Sequence, residues 1–149
     1  MAHLANTDNW LVVLSAIGIV GICVVLHYEV LSLSNRYLPV LSHRRRPRVL
    51  ILICIVLVAH IAEIWLFGTG YYLLAGNRAL GGLVGLPTAD LPDFVYFSAM
   101  TYTTVGFGDA VPVGAIRFLA GVEALTGFVM ITWSASYTFL EMQRDWSGR

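Results

Sequence analysis

Seven consecutive residues have the composition of a loop that could bind a bare cation: Thr103, Thr104, Val105, Gly106, Phe107, Gly108 and Asp109. Glycine reaches backbone dihedral angles that are closed to other residues, and here it alternates with bulky side chains. This alternation lets successive carbonyl oxygens point to one side of the chain. Carbonyls without partners in their own chain can replace the water around a dehydrated cation, and we expect the second threonine to add its hydroxyl at the inner end of the row.

The composition indicates that this loop belongs to a membrane protein. Apolar residues make up 58% of the 149 residues and charged residues only 12%, whereas a soluble domain has roughly 45–50% apolar and about 25% charged residues. About 20 apolar residues are enough to cross the hydrocarbon core as a helix. We predict three transmembrane helices, over residues 10–31 within an N-terminal segment 1–35, over 49–67, and over 116–140.

The segment between the second and third spans positions the loop. Residues 68–91 are rich in glycine and predict a loop or a short capping structure, while Pro92 and Asp93 suit the first turn of a helix. A helix over residues 92–103 would be about 18 Å long, too short to cross the bilayer. We therefore predict a re-entrant segment in which residues 104–109 turn back within the membrane. Irregular backbone at that depth is tolerated only where it lines a cavity or is buried in protein.

Arginine is distributed unevenly along the chain. Of the nine basic residues, seven lie in the loop 36–48 or the tail 141–149, and two, Arg78 and Arg117, lie on the other side. By the positive-inside rule, the loop and the tail are cytoplasmic and the amino terminus is outside. A topology signal explains the cluster by itself, and a specific site for anionic lipid is the alternative. The cluster consists of Arg44, Arg45, Arg46 and Arg48.

The seven-residue loop resembles the filter signature of the potassium channel family, in which backbone carbonyls coordinate the ion. The family usually has tyrosine where this chain has Phe107. The resemblance covers roughly residues 49–140 and implies an all-α membrane protein with four identical subunits around a central pore. It also implies that dehydrated K⁺ ions are coordinated in single file by Thr104, Val105, Gly106, Phe107 and Gly108.

The resemblance assigns roles outside the filter as well. Gly127 stands where the family's inner helix often has a hinge, and close helix packing by a small residue is the alternative. Residues at helical spacing below it would line the inner pore: Ile131, Ala135, Thr138 and Phe139. The residues expected to support the filter or to line its outer mouth are Thr103, Tyr96, Asp93 and Asp109. Met100 replaces a glutamate with which some members brace this last aspartate, so we expect Tyr96 to hydrogen-bond it instead.

Three ionisable residues within the predicted spans are candidates for modulation, because charge is costly inside a bilayer. We hypothesise that Glu123 braces the short helix through Thr101 or Tyr102, and a structural hydrogen bond without a role in gating is the alternative. His60 and Glu63 are three residues apart, which places them on one helical face and within reach of each other. A pH sensor and a satisfied buried pair would both explain these two residues.

We interpret the chain as a subunit of a potassium-selective channel that conducts passively, and not as an enzyme. A weakly selective cation channel and a non-conducting or regulatory subunit that assembles with a related channel are the alternatives. The expected partners are further copies of the chain, in a homotetramer, and membrane lipids, with no nucleic acid. Apart from K⁺ bound in the filter we expect no cofactor, and we predict the prokaryotic inner (plasma) membrane as the location.

Overall fold

The computed structural model describes residues 7–41, 45–86 and 90–146. Its elements, in chain order, are helix α1 (Thr7–Leu41), helix α2 (Arg45–Ala75), a 3₁₀ turn (Arg78–Leu80), strand β1 (Gly81–Val84), helix α3 (Leu91–Tyr102), strand β2 (Val111–Gly114) and helix α4 (Arg117–Trp146). The structure is mostly helical, as predicted, and adds two short strands that the sequence analysis did not include.

Three of the helices are long and apolar enough to cross a membrane: Asn9–Leu38 in α1, Pro47–Ala75 in α2 and Arg117–Arg144 in α4. Each of them exposes large apolar side chains, such as Leu14 on α1, Leu73 on α2 and Leu125 on α4. Exposed apolar surface on this scale is unfavourable in water and is suited to lipid or to a partner. The chain is therefore an integral membrane protein.

The four helices pack against one another around two clusters of buried apolar side chains. α1 packs against α2 and α4, and the short helix α3 also packs against α2 and α4. Aromatic side chains fill the space between α2 and α3, where the rings of Tyr71 and Phe97 meet edge to face with centroids 5.1 Å apart. Phe67 and Tyr102 are also completely buried. The long helices thus form a frame that holds α3 and the residues that follow it.

Helix α2 continues past the predicted boundary at Phe67 and ends only at Ala75. Two of the glycines that favoured a loop, Gly68 and Gly70, lie inside this helix at points of close contact. A Cβ on Gly68 would lie 2.8 Å from the Cα of Val95 in α3, and one on Gly70 would lie 2.5 Å from Ile19 Cδ1 in α1. These glycines bring helices together, as small residues do in membrane proteins, and do not break the helix.

The helix ends near the predicted 36–48 loop and 141–149 tail also differ from the prediction. α1 runs to Leu41 and α2 starts at Arg45, so most of the predicted 36–48 loop is helical. α4 runs through most of the predicted 141–149 tail, to Trp146. Glu141 in this extension contacts Arg144 one turn later at 2.6 Å, an (i, i+3) pair of the kind that stabilises helices. Polar sequence ends an apolar run but does not end a helix.

Strands β1 and β2 connect the chain that precedes α3 with the chain that follows residues 103–109. They pair antiparallel, with Gly81 opposite Gly114 and Val84 opposite Val111. The residue after β1 lies directly against the loop, because a Cβ on Gly85 would be 2.0 Å from the carbonyl oxygen of Asp109. The described part of the predicted 68–91 loop thus includes the end of α2, the 3₁₀ turn and strand β1, and the pairing of β1 with β2 fixes the chain that follows residues 103–109.

Candidate functional site

Helix α3 leads into the segment Thr103–Asp109, called the glycine loop below. Pro92 and Asp93 lie in its first turn, and its twelve residues make it about 18 Å long, too short to cross a bilayer. α3 lies within one residue of the helix predicted over 92–103. The N–H and the hydroxyl of Thr103 both donate to the carbonyl oxygen of Ala99, at 3.2 and 2.6 Å, and close the end of the helix.

The backbone of the glycine loop alternates in the sign of φ. The angle is +60° at Thr104, +54° at Gly106 and +81° at Gly108, whereas Val105 and Phe107 lie between them with negative φ. Within the described ranges, Thr104 is the one non-glycine residue with positive φ. A β-branched residue in this region is strained, and strained residues are concentrated at functional sites.

Two hydrogen bonds hold the first half of the glycine loop against α3. The N–H of Thr104 donates to the carbonyl oxygen of Thr101 at 3.0 Å, and the N–H of Gly106 donates to that of Met100 at 3.1 Å. Both acceptors belong to the last turn of the helix, whose carbonyls lack partners further along the helix. The loop therefore turns back directly at the carboxyl end of α3.

The glycine loop is uncovered within a single chain. Val105 is 54% exposed and Phe107 is 69% exposed. A Cβ added to Gly106 or Gly108 would meet no atom within 4 Å. Two large apolar side chains held outward on a strained loop indicate a surface that is meant to be covered by another molecule.

Asp109 at the end of the glycine loop is held by the neighbouring helix. The hydroxyl of Tyr96 donates to Asp109 Oδ2 at 2.7 Å, which is the hydrogen bond expected from the sequence. The other carboxylate oxygen, Oδ1, accepts from the N–H of Ala110 at 3.0 Å. The hydrogen bond to Asp109 raises the pKa of the Tyr96 phenol above its ordinary value, because loss of its proton would place two negative charges together.

This raised pKa predicts how the Tyr96–Asp109 bond depends on pH. A group whose pKa is raised on folding stabilises the protein fully below its unfolded pKa, and loses this effect as the pH rises through its folded pKa. The difference in thermal stability between wild type and Tyr96→Phe should therefore be constant from about pH 6 to about pH 9 and shrink above about pH 10. Thermal unfolding in detergent measures it. The control is Tyr28→Phe at an exposed position on α1; a difference that changes near neutral pH would contradict the expectation.

Glu123 connects α4 to both α2 and α3. It is completely buried, and its two carboxylate oxygens lie 2.5 Å from the hydroxyl of Tyr71 and 2.5 Å from that of Ser98. The predicted contact with the short helix exists, but the predicted partners Thr101 and Tyr102 were wrong. Ser98 lies about one turn earlier on α3, so Glu123 braces the middle of that helix and not its end.

Removing one of these hydrogen bonds should destabilise the fold measurably. Tyr71→Phe leaves the buried Glu123 carboxyl with one hydroxyl partner fewer, which should lower the free energy of unfolding by about 1–3 kcal/mol. The matched control is Tyr72→Phe, at the adjacent position, because Tyr72 is 45% exposed. Thermal unfolding in detergent should show a clear loss for the first variant and almost none for the second. Equal stability of the two variants would show that the hydroxyl of Tyr71 contributes nothing.

Gly127 in α4 lies directly against the end of α3. A Cβ at this position would be 2.1 Å from the carbonyl oxygen of Tyr102 and 2.9 Å from its Cγ. The alternative of close helix packing is therefore sufficient to explain this glycine, while a hinge stays a prediction. Tyr102 immediately precedes the glycine loop, so the contact also fixes where the loop begins.

The residues predicted to line an inner pore share one groove of the chain. The groove lies between α2, the end of α3 and α4, and is almost entirely apolar. Its walls include Ile131, Ala135, Thr138 and Phe139. Tyr102, which precedes the glycine loop, and Thr103, its first residue, also line the groove. The structure thus brings these four side chains to one face beneath the loop.

Comparison with known sequences places this arrangement in a family. The sequence model of a family described as "Ion channel" matches residues 59–144, which is more than half of the chain. The chain belongs to this ion channel family. The match starts within α2 and includes α3, the glycine loop and nearly all of α4, whereas α1 lies outside it.

Two curated relatives of this channel chain are both called Protein LctB. The one from Bacillus caldotenax is 48% identical over 59 residues, which is 40% of this chain and 41% of the relative. The one from Geobacillus stearothermophilus is 41% identical over 54 residues, or 36% and 40% of the two chains. The aligned part thus spans about two fifths of each relative's length. No solved structure matches the chain.

At the other end of this channel chain, the arginine cluster is only partly described. Arg44 lies outside the described residues, as do the side chains of Arg45 and Arg46. Arg48 Nη2 contacts Glu141 Oε2 at 2.9 Å and so links the start of α2 to the end of α4. Arg48 has therefore a protein partner, whereas the sequence analysis assigned it to a topology signal or to anionic lipid.

His60 and Glu63 are in contact, with His60 Nδ1 3.2 Å from Glu63 Oε2. Three further residues complete this cluster and were not predicted from the sequence. His27 from α1, Tyr102 from α3 and Ser134 from α4 all hydrogen-bond within it. The position of His27 inside an apolar span is the signal that could have revealed it, because ionisable residues in spans rarely lack a partner.

Proposed function

We propose that four copies of this channel chain surround one pore and conduct potassium ions selectively through their glycine loops. The observation that carries the proposal is the alternation in the sign of φ along residues 104–108, which is positive at Thr104, Gly106 and Gly108 and negative between them. This segment directly follows a helix too short to cross the membrane. Conduction is passive, and the dehydrated ion is the transported species.

The alternating backbone supplies the oxygens for the ion. When left-handed and right-handed residues alternate, successive peptide groups align, with N–H groups on one side and carbonyls on the other. Such a row can replace the hydration shell of a potassium ion. The carboxyl end of α3, the negative end of its dipole, precedes the loop and favours a cation there. The strain at Thr104 is then the cost of aligning the first member of the row.

The exposure of the glycine loop supports an oligomer. One chain offers one row of carbonyls, and an ion must be surrounded on all sides, so several copies related by a closed rotation are needed. The outward side chains of Val105 and Phe107 have no cover in their own chain, and neighbouring copies would provide it. The number four comes from the resemblance to the potassium channel family.

The distribution of charge supports an orientation. The excess of arginine at the 36–48 and 141–149 segments supports a cytoplasmic location for both. The glycine loop then opens outward, where Asp93 and Asp109 would raise the local concentration of cations. The proposed location is a prokaryotic plasma membrane, with anionic lipid near Arg44, Arg45 and Arg46.

Reconstitution of the purified chain in liposomes tests this function. A potassium gradient should drive a flux that barium blocks, and an equal sodium gradient should drive at least about tenfold less flux, a difference of about 1.4 kcal/mol. Equal sodium and potassium fluxes would favour a weakly selective cation channel. The absence of any flux would favour a non-conducting subunit that assembles with a related channel. Chemical crosslinking in the same liposomes should produce bands up to the tetramer and no larger.

A further inference from the structure

Three metal-ligating side chains from two helices meet inside the bundle. Glu63 is completely buried, and His27 is 1% exposed. His27 Nδ1 lies 2.9 Å from Glu63 Oε1, and His60 Nδ1 lies 3.2 Å from Glu63 Oε2. One ligand atom from each of the three residues lies within 4.8 Å of the others. Neither the ion channel family match nor the transport of potassium accounts for such a cluster.

We propose that His27, His60 and Glu63 bind a divalent transition-metal ion of the zinc class. Two imidazole nitrogens and a carboxylate oxygen form a donor set that such ions prefer over K⁺ or Mg²⁺. Bonds of about 2.0–2.1 Å in a tetrahedral arrangement place ligand atoms about 3.3 Å apart. The observed separations of 2.9 and 3.2 Å run from the two histidines to different oxygens of the Glu63 carboxylate. All three ligand atoms lie within 4.8 Å of one another, so side-chain movements of up to about 1.5 Å would admit the ion.

The Nε2 atoms of both imidazoles have a hydrogen-bond partner of the kind that orients metal-binding histidines. Ser134 Oγ lies 2.9 Å from His27 Nε2 and 3.2 Å from His60 Nε2. When both Nε2–H groups donate to this one oxygen, both Nδ1 lone pairs face Glu63 and are free for the metal. A hydrogen bond of this kind fixes the ring orientation and the tautomer of a ligating histidine. Since Ser134 is also buried, the support is shielded from water.

A fourth group completes the coordination sphere. The hydroxyl of Tyr102 lies 2.9 Å from His60 Nδ1 and donates to Glu63 Oε2. It can take the position that three protein ligands leave open, or hold a water there. Because Tyr102 ends α3 directly before the glycine loop, a bound ion would connect α1 and α2 to the start of the loop.

The site has an access path and a reason to accept positive charge. His60, with a side chain 13% exposed, lines the apolar groove below the glycine loop, so an ion can reach the cluster from there. The Glu63 carboxylate lies at a depth where an uncompensated charge is expensive. A divalent ion would compensate it by direct bonds.

Metal titration of the purified full chain tests the site without any measurement of potassium flux, so it stands apart from the proposed function. The chain carries four histidines, and replacing His3 and His43 with glutamine leaves the two in the cluster. In this background, purified without a histidine tag, isothermal titration with Zn²⁺ should show one ion per chain. Co²⁺ should give the strong visible absorption of a tetrahedral site, which Zn²⁺ abolishes by competition.

Variants then assign the ligands. Glu63→Gln and His60→Gln should each weaken Zn²⁺ binding at least about 100-fold, and Ser134→Ala should weaken it by about 10–100-fold, the usual effect of an outer partner. Glu29→Gln is the matched control, because Glu29 is an exposed carboxylate on α1, and it should leave affinity unchanged. Bound Zn²⁺ should also raise the unfolding temperature of the background protein and not that of Glu63→Gln.

Two results would overturn the site. One is a background protein that binds no Zn²⁺ and gives no tetrahedral Co²⁺ spectrum, which would show a hydrogen-bonded cluster only. The other is a Zn²⁺ affinity that is the same in Glu63→Gln and His60→Gln as in the background protein. If one of these variants does not fold, the Co²⁺ spectrum of the unsubstituted cluster and the Ser134→Ala affinity still decide the outcome, because neither needs the lost variant.

Discussion

Replacing Gly106 with alanine should reduce potassium flux at least tenfold while the chain still folds and enters the membrane. Gly106 has φ of +54°, and a side chain in this region costs roughly 1–2 kcal/mol, or about 4–8 kcal/mol over the four subunits of the proposed channel. A tenfold loss needs only about 1.4 kcal/mol. Alanine can avoid the strain by changing φ, and this would turn a carbonyl away from the row. Liposome flux under a potassium gradient measures the loss.

Gly82→Ala is the control for this experiment. Gly82 lies in β1, its φ is outside the positive region, and a Cβ there would meet nothing within 4 Å. It should keep nearly all of the flux. Wild-type flux in Gly106→Ala would contradict the assignment of the glycine loop as the conducting element. Loss of both fold and flux in this variant would instead mean that the loop backbone supports the fold.

Replacing Gly127 with alanine should destabilise the protein by about 1–3 kcal/mol, the usual cost of overpacking a filled core. The added Cβ would lie 2.1 Å from the carbonyl oxygen and 2.8 Å from the carbonyl carbon of Tyr102. These are backbone atoms, so a side-chain rotation cannot relieve the clash and α3 or α4 has to move. We expect a lower unfolding temperature in detergent, together with reduced flux, because Tyr102 precedes the glycine loop.

Gly121→Ala on the same helix separates packing from a hinge. A Cβ at Gly121 meets nothing within 4 Å, so this substitution should be neutral or stabilising by up to about 1 kcal/mol, the gain of alanine over glycine in a helix. If Gly127→Ala were as stable as Gly121→Ala and changed only the flux, close packing would be the wrong explanation and a hinge the better one.

The sequence predicted the features that depend on short stretches of chain. Three apolar runs gave three helices long enough to cross a membrane, and Pro92 with Asp93 predicted the start of α3 within one residue. The hydrogen bond between Tyr96 and Asp109 was expected from the resemblance to the potassium channel family, because Met100 replaces the glutamate with which some members brace this aspartate. The helix predictions rest on apolar length and helix start signals.

Helix ends were predicted poorly for a reason that is not local. Gly68 favoured a loop when considered by itself, since glycine weakens isolated helices. In the structure the absence of its side chain lets α2 approach Val95 of α3, and the packing gained outweighs the weak helix propensity. Only the neighbouring helix distinguishes a glycine that breaks a helix from one that packs it.

The residues of this chain alone determined that it spans a membrane and that a glycine-containing loop follows a short helix, because apolar length and glycine alternation are properties of continuous sequence. Tertiary structure decided which buried groups meet. Glu123 contacts Ser98 and Tyr71, and His27 joins Glu63 from 36 residues away. Such contacts depend on how each helix is rotated toward its neighbours, and the packing of all four helices together sets that rotation.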